Sequence, residues 1–245
     1  MAMTVAAGRA ANPERLFYQA MVLAIIASIL LGFAQSFFLR PLFPGKHAPG
    51  EVWFYVHGVL FTGWLALLFT QVTLIGTNRV ALHQRLGVAG FVFIPLMLFM
   101  GLVGTLIAAR RPGGFFDVPV PPLEFMVVPI YELLLFALFA TLALVWRKTP
   151  QTHKRLMLLA AITLVEAGTA RWPFEPYTTI PAVAFWTQAA FLIPLVGWDL
   201  YSRKSLHPAT IWGSILLISE GPLRDMLSHT QAWMTFAKWS TGLLG

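Results

Sequence analysis

Repeated apolar runs, each about 20 residues long, constrain this chain more than any other feature. A run of that length spans a bilayer as a helix. The runs do not alternate with a period of two, so a closed β-barrel is not expected. In lipid every backbone polar group needs an internal partner, which leaves helices. Composition agrees. Hydrophobic residues make up 58% of the 245 and charged residues 11%, against about 45–50% and about 25% in soluble domains. The expected fold is all-α, a polytopic membrane protein with about seven crossings forming one domain over residues 1–245.

The expected spans are 16–39, 53–76, 85–108, 124–146, 154–172, 180–201 and 208–227. Turn residues break them. Pro41, Pro44, Gly45 and Pro49 close the first loop, and Pro119, Pro121 and Pro122 the third. Met1–Glu14 is polar and small, and the apolar run after it is too long for a signal peptide. No cleavable signal is expected.

Basic residues set the expected orientation. Arg9, Arg15, Arg79, Arg85, Arg147, Lys148, Lys154, Arg155, Arg203 and Lys204 fall on the N-terminal side. Arg40, Lys46, Arg110, Arg111, Arg171, Arg224 and Lys238 fall on the other. That excess places the N-terminus in the cytoplasm and the C-terminus outside, in a bacterial inner membrane. Glu51, Asp117, Glu124, Glu175 and Asp225 bring the outer face close to neutral. The net charge of +7 is spread over short loops, so no nucleic-acid surface is expected. The chain has no cysteine, which removes disulfides, thiolate metal sites and cysteine nucleophiles. It shows no phosphate loop, zinc motif or nucleophile motif either.

Ionisable groups inside spans are expensive and therefore informative. Glu132, Glu166 and Glu220 are the intramembrane carboxylates. Glu220 precedes Arg224 by four residues, so the two share a helix face. With Arg171 they would line an outer-half cavity for a ligand or ion. They suit buried pairs that hold helices together equally well. In the second span His57, Trp64 and Gln71 recur every seven residues and form one stripe. Trp64 belongs to the expected cavity. His57 and Glu132 lie at similar depths and would bind a metal or relay a proton. A hydrogen-bonded packing stripe is the alternative.

A short internal repeat marks the inner edge. Leu82-His83-Gln84-Arg85-Leu86 and Thr152-His153-Lys154-Arg155-Leu156 share H-[QK]-R-L. The repeat suggests related hairpins and a four-helix core of spans 2–5, with spans 1, 6 and 7 around it. In such a bundle alternate helices face each other. His83 and His153 would then meet at one depth, where a haem b takes one imidazole from each side. Basic anchoring at the headgroups is the alternative use of these residues.

Two resemblances follow. His57-Gly58, Gly63-Trp64 and His83-Gln84-Arg85-Leu86-Gly87, with Ala170-Arg171-Trp172-Pro173-Phe174, His207-Pro208 and Pro222-Leu223-Arg224, resemble an uncharacterised family of bacterial multi-pass membrane proteins. That family has H-G-x(4)-G/A-W and H-R-x-L-G signatures. The likeness covers about residues 53–238 and implies a membrane fold. More weakly, the chain resembles transmembrane cytochromes b, which hold haems between four central helices. That likeness implies a haem on His83 and His153 and electron exchange with a quinone or external acceptor. His57 lacks a histidine partner in the fourth span, where Glu132 is the nearest ligand-capable residue. Two further readings stand beside it. One is a binding or transport protein using the outer cavity. The other is an accessory subunit of a larger membrane complex.

Overall fold

A computed structural model of the protein describes residues 12–45, 50–115, 118–177, 179–180 and 182–243. The expectations for Arg9, Lys46, Pro49 and Asp117 lie outside the described residues. Among those described, every regular element is helical.

Helix α1 covers Pro13–Phe33. Asn12 caps it by accepting from the backbone N–H of Glu14, and Pro13 takes the first-turn position where a missing N–H costs nothing. A wide helical turn continues it to Phe38. Next come α2 (Val52–Gly76), the short α3 (Val80–Gly87) and α4 (Gly90–Arg110). Then follow α5 (Pro122–Phe125), α6 (Val127–Val145), α7 (Pro150–Ile162) and α8 (Val165–Thr169). The chain closes with α9 (Ala182–Ala190), α10 (Leu192–Arg203), α11 (Pro208–Ser228) and α12 (Gln231–Gly242).

Five helical stretches are long and apolar enough to cross a membrane: 13–38, 52–76, 90–110, 122–145 and 182–203. They make this a multi-pass membrane protein. The other two expected spans correspond to α7 with α8, and to α11. Both differ from the five for a physical reason. The first carries Lys154, Arg155 and Glu166 and breaks at Thr163–Leu164, and the second carries Glu220, Arg224 and Asp225.

The first of these is also the interior of the bundle, whereas α11 leaves Trp212, Ile215, Ile218 and Met226 exposed. Leu156, Leu158, Leu159, Ala160, Ala161 and Ile162 are all buried, so α7 is covered on every side. It packs on α6, α1 and α11, while α8 packs on α1 and α9. This corrects the four-helix core. α2, α4, α6 and α7 do follow one another round the bundle, but α1 closes the ring, packing on α2 on one side and on α7 and α8 on the other. Close approach makes this possible. A Cβ built on Gly32 would stand 1.9 Å from the carbonyl oxygen of Gly168, so only glycine lets α1 reach α8 this closely.

Candidate functional site

The polar groups gather at two levels. At one end of the bundle, α2 ends at Gly76 and the chain turns through Asn78 at φ 62°, whose side chain accepts from Arg15. The turn launches α3, which carries His83. The expectation placed His83 at the start of the third span. Instead α3 is separate from α4, because backbone bonds from Val88 to Arg85 and from Ala89 to Leu86 tighten the chain between them. His153 lies in the first turns of α7.

The structure brings these two histidines together. Their ring centroids are 6.4 Å apart with planes at 80°. Two imidazoles sharing one ion through bonds of about 2 Å stand about 6 Å apart by centroid. Each ring turns a nitrogen away to a backbone carbonyl. His153 Nδ1–H donates to Ala143 at 2.8 Å, leaving Nε2 as the lone-pair nitrogen. His83 faces the Gln71 carbonyl, and its Nδ1 is buried with no partner. Metal-binding histidines commonly have such a carbonyl behind them. Burial pushes the His83 imidazole below its ordinary value, which keeps it neutral and its lone pair available.

The α2 stripe faces inward, as its spacing requires. Trp64 is 2% exposed, packs edge-on against Phe136 at 5.5 Å, and its Nε1 has no partner. Both side-chain amide atoms of Gln71 are buried and unpartnered too. His57 stacks on Phe61 at 4.1 Å, faces the Met100 carbonyl and leaves Nδ1 unpartnered. Buried polar atoms without partners cost about 1–3 kcal/mol each. Four such residues are His57, Trp64 and Gln71 along α2 and His83 on α3.

At the other level the residues expected to line a cavity largely converge. Arg224 on α11 grips Glu166 on α8 with both terminal nitrogens and reaches Glu220 one turn back on its own helix at 3.1 Å. Gln188 on α9 ties the two acids together. Its Nε2 donates to Glu220 at 3.4 Å and its Oε1 accepts from the Glu166 backbone at 3.1 Å. Glu132 on α6 lies within electrostatic reach of Glu166, Glu220 and Arg224. Arg171 is different. It sits at the exposed rim, donates to the Ala167 carbonyl and covers the Phe33 ring. His57 and Glu132, the expected metal pair, take different neighbours. Among the described residues no three His, Cys, Asp or Glu side chains converge as metal ligands.

One constellation was not anticipated. Arg155 and Asp199 are both 0% exposed and paired. Arg155 Nη1 donates to the carbonyl and side-chain oxygen of Gln151, both at 2.8 Å. Asp199 accepts from the His207 backbone at 2.9 Å and from the Thr210 hydroxyl at 2.6 Å. The pair locks α7 to α10 and α11. Arg155 read as a topology marker, since nothing in its local sequence separates it from a headgroup arginine. The available signal was Asp199, an acid in the last turns of an apolar span.

No protein-family model matches the chain, and no curated protein or solved structure is similar to it.

Proposed function

We propose that the protein is a redox protein of cytochrome b type in a bacterial inner membrane. In this reading α7 with α8 and α11 also cross, giving seven spans with the N-terminus cytoplasmic and the C-terminus outside. One haem b would sit between His83 and His153 and exchange electrons with a quinone or an external acceptor. The observation that carries the reading is the 6.4 Å ring separation, with a carbonyl behind each ring. No third His, Cys, Asp or Glu side chain joins the pair among the described residues. A haem would bring the remaining ligands of its iron, so two histidines would be enough to hold it.

A bound haem supplies one-electron chemistry. The chain's own residues have separate tasks. His83 Nδ1 and His153 Nε2 offer the two lone pairs. Ala143 and the Gln71 backbone hold the rings in place through their carbonyls. Protons compete for the same lone pairs, so haem loading should fall as the pH drops.

The test is the visible spectrum of the purified, haem-supplied protein, oxidised and reduced. A Soret band is expected, abolished by His83→Ala and by His153→Ala, shifted in His83→Met and unchanged in Glu51→Gln. Absence of the band, or its survival in both alanine variants, overturns the reading.

A second reading has its own observation. A binding or transport protein, or an accessory subunit of a larger complex, would use the outer-half network. Glu132 favours it, because this buried acid makes no hydrogen bond or ion pair among the described residues.

A further inference from the structure

Helices α4 and α6 pack side by side, and a groove of about 340 Å³ lies along their seam. On α4 it is lined by Phe91, Ile94, Pro95 and Leu98, whose spacing puts them on one face. On α6 Thr141, Leu144 and Val145 share a face in the same way, and Arg147 follows just past the helix end. Ala143, whose carbonyl holds His153, precedes Leu144, so the groove lies at the end of the bundle that carries the two histidines. Phe91, Pro95, Thr141 and Val145 are exposed, on helices long and apolar enough to cross a membrane. The groove therefore opens toward lipid.

Two donors in this lining have unused capacity. Thr62, Thr70, Thr73, Thr105 and Thr187, on other helices, each donate to the carbonyl four residues back. The Thr141 hydroxyl makes no hydrogen bond among the described residues. Arg147 bends back over the groove. It donates to the Leu144 carbonyl at 2.9 Å and stands 5.9 Å from the centre of the Phe91 ring. A guanidinium has more N–H donors than that one bond uses. Among the described residues Arg147 makes no ion pair, and neither do Arg79, Arg85 or Lys148 at the same end. The acids of this end are already taken, Glu14 by Lys154 and Asp199 by Arg155.

Along the seam toward the end of α6 come an apolar floor, a hydroxyl and an unpaired positive charge. A glycerophospholipid carries an acyl chain, an ester carbonyl and a phosphate in that order. Basic pockets between membrane helices bind anionic headgroups. A soluble anion would leave the apolar floor uncovered. We propose that the α4–α6 groove binds an anionic glycerophospholipid, with an acyl chain along the groove, an ester carbonyl on the Thr141 hydroxyl and the phosphate on Arg147. The inference goes beyond both functional readings and depends on neither.

The probe is phosphatidylglycerol labelled with pyrene on one acyl chain, bound to the full chain in detergent and read by energy transfer from the protein's tryptophans. Unlabelled phosphatidylglycerol should displace it at about fivefold lower concentration than phosphatidylcholine with the same chains, one cation's contribution. Arg147→Gln should remove most of that preference and leave phosphatidylcholine unchanged. Lys238→Gln, which lowers the net charge equally but lies on α12, should leave the preference intact. Thr141→Val should weaken both lipids about threefold, the loss of one neutral hydrogen bond. Leu98→Trp, which fills the groove and keeps every charge, should weaken both further. Equal displacement by the two lipids overturns the inference, as does a preference that Arg147→Gln leaves intact or that Lys238→Gln removes as fully. Displacement by inorganic phosphate at equal concentration overturns it too, and so does unchanged binding in Leu98→Trp.

Discussion

Arg155 and Arg224 are both buried guanidiniums, each paired with a carboxylate from another helix, yet their surroundings differ. Arg155 meets one acid, Asp199, and both of its oxygens accept hydrogen bonds. Arg224 meets two acids and lies near a third. A buried pair with every polar atom satisfied is a lock. A buried group with unmatched charge is costly, and such sites are usually kept for what they bind. The Arg155 pair accordingly reads as architecture and the Arg224 network as a site.

The comparison breaks first at Arg155. Arg155→Ala leaves Asp199 buried without its counter-charge, which costs about 3–5 kcal/mol. Little monodisperse protein is expected, and the double variant Arg155→Met/Asp199→Leu should recover most of the yield. Failure of the double variant would show that Arg155 does more than lock helices. Glu166→Gln comes next. It removes charge-assisted bonds to Arg224 while Glu220 remains, an expected loss of about 1.5–3 kcal/mol in reversible unfolding.

Glu132→Gln should be small, within about 1 kcal/mol of wild type and of either sign, because no bond is lost. A loss as large as that of Glu166→Gln would make Glu132 structural and erase the distinction between the two arginines. The smallest effect belongs to Glu51, at the start of α2. The Arg111 guanidinium holds the Glu51 carboxyl below its ordinary value, so its contribution exists above that value and fades as pH falls. The pair is half-exposed at Glu51. Glu51→Gln should change the melting temperature only slightly, and the difference should shrink with added salt.

Particular residues show how far the sequence reaches. The two copies of H-[QK]-R-L placed His83 and His153 at one level, and the rings do meet. The same string misleads about its arginine. Arg85 is exposed on α3, whereas Arg155 is fully buried in α7. Identical local chemistry yields opposite environments because α7 is enclosed by α1, α6 and α11. The seven-residue stripe on α2 was legible for the same reason in reverse: helical periodicity is local, and inward-facing Trp64 follows from it. Glu220 and Arg224 were legible as a pair by their spacing. Their link to Glu166 and Gln188 crosses helices and has no spacing to betray it.

The sequence by itself determined a helical, multi-pass membrane chain, the shared level of His83 and His153 and the inward face of α2. Run length, composition and a period near 3.6 carry those facts, and each is a property of neighbouring residues. Tertiary structure alone decided that α1 closes the ring, that Asp199 is Arg155's partner, and that Glu132 is left without one. Those outcomes depend on which helices cross and how closely, as at Gly32 and Gly168, where two backbones meet because neither residue has a side chain.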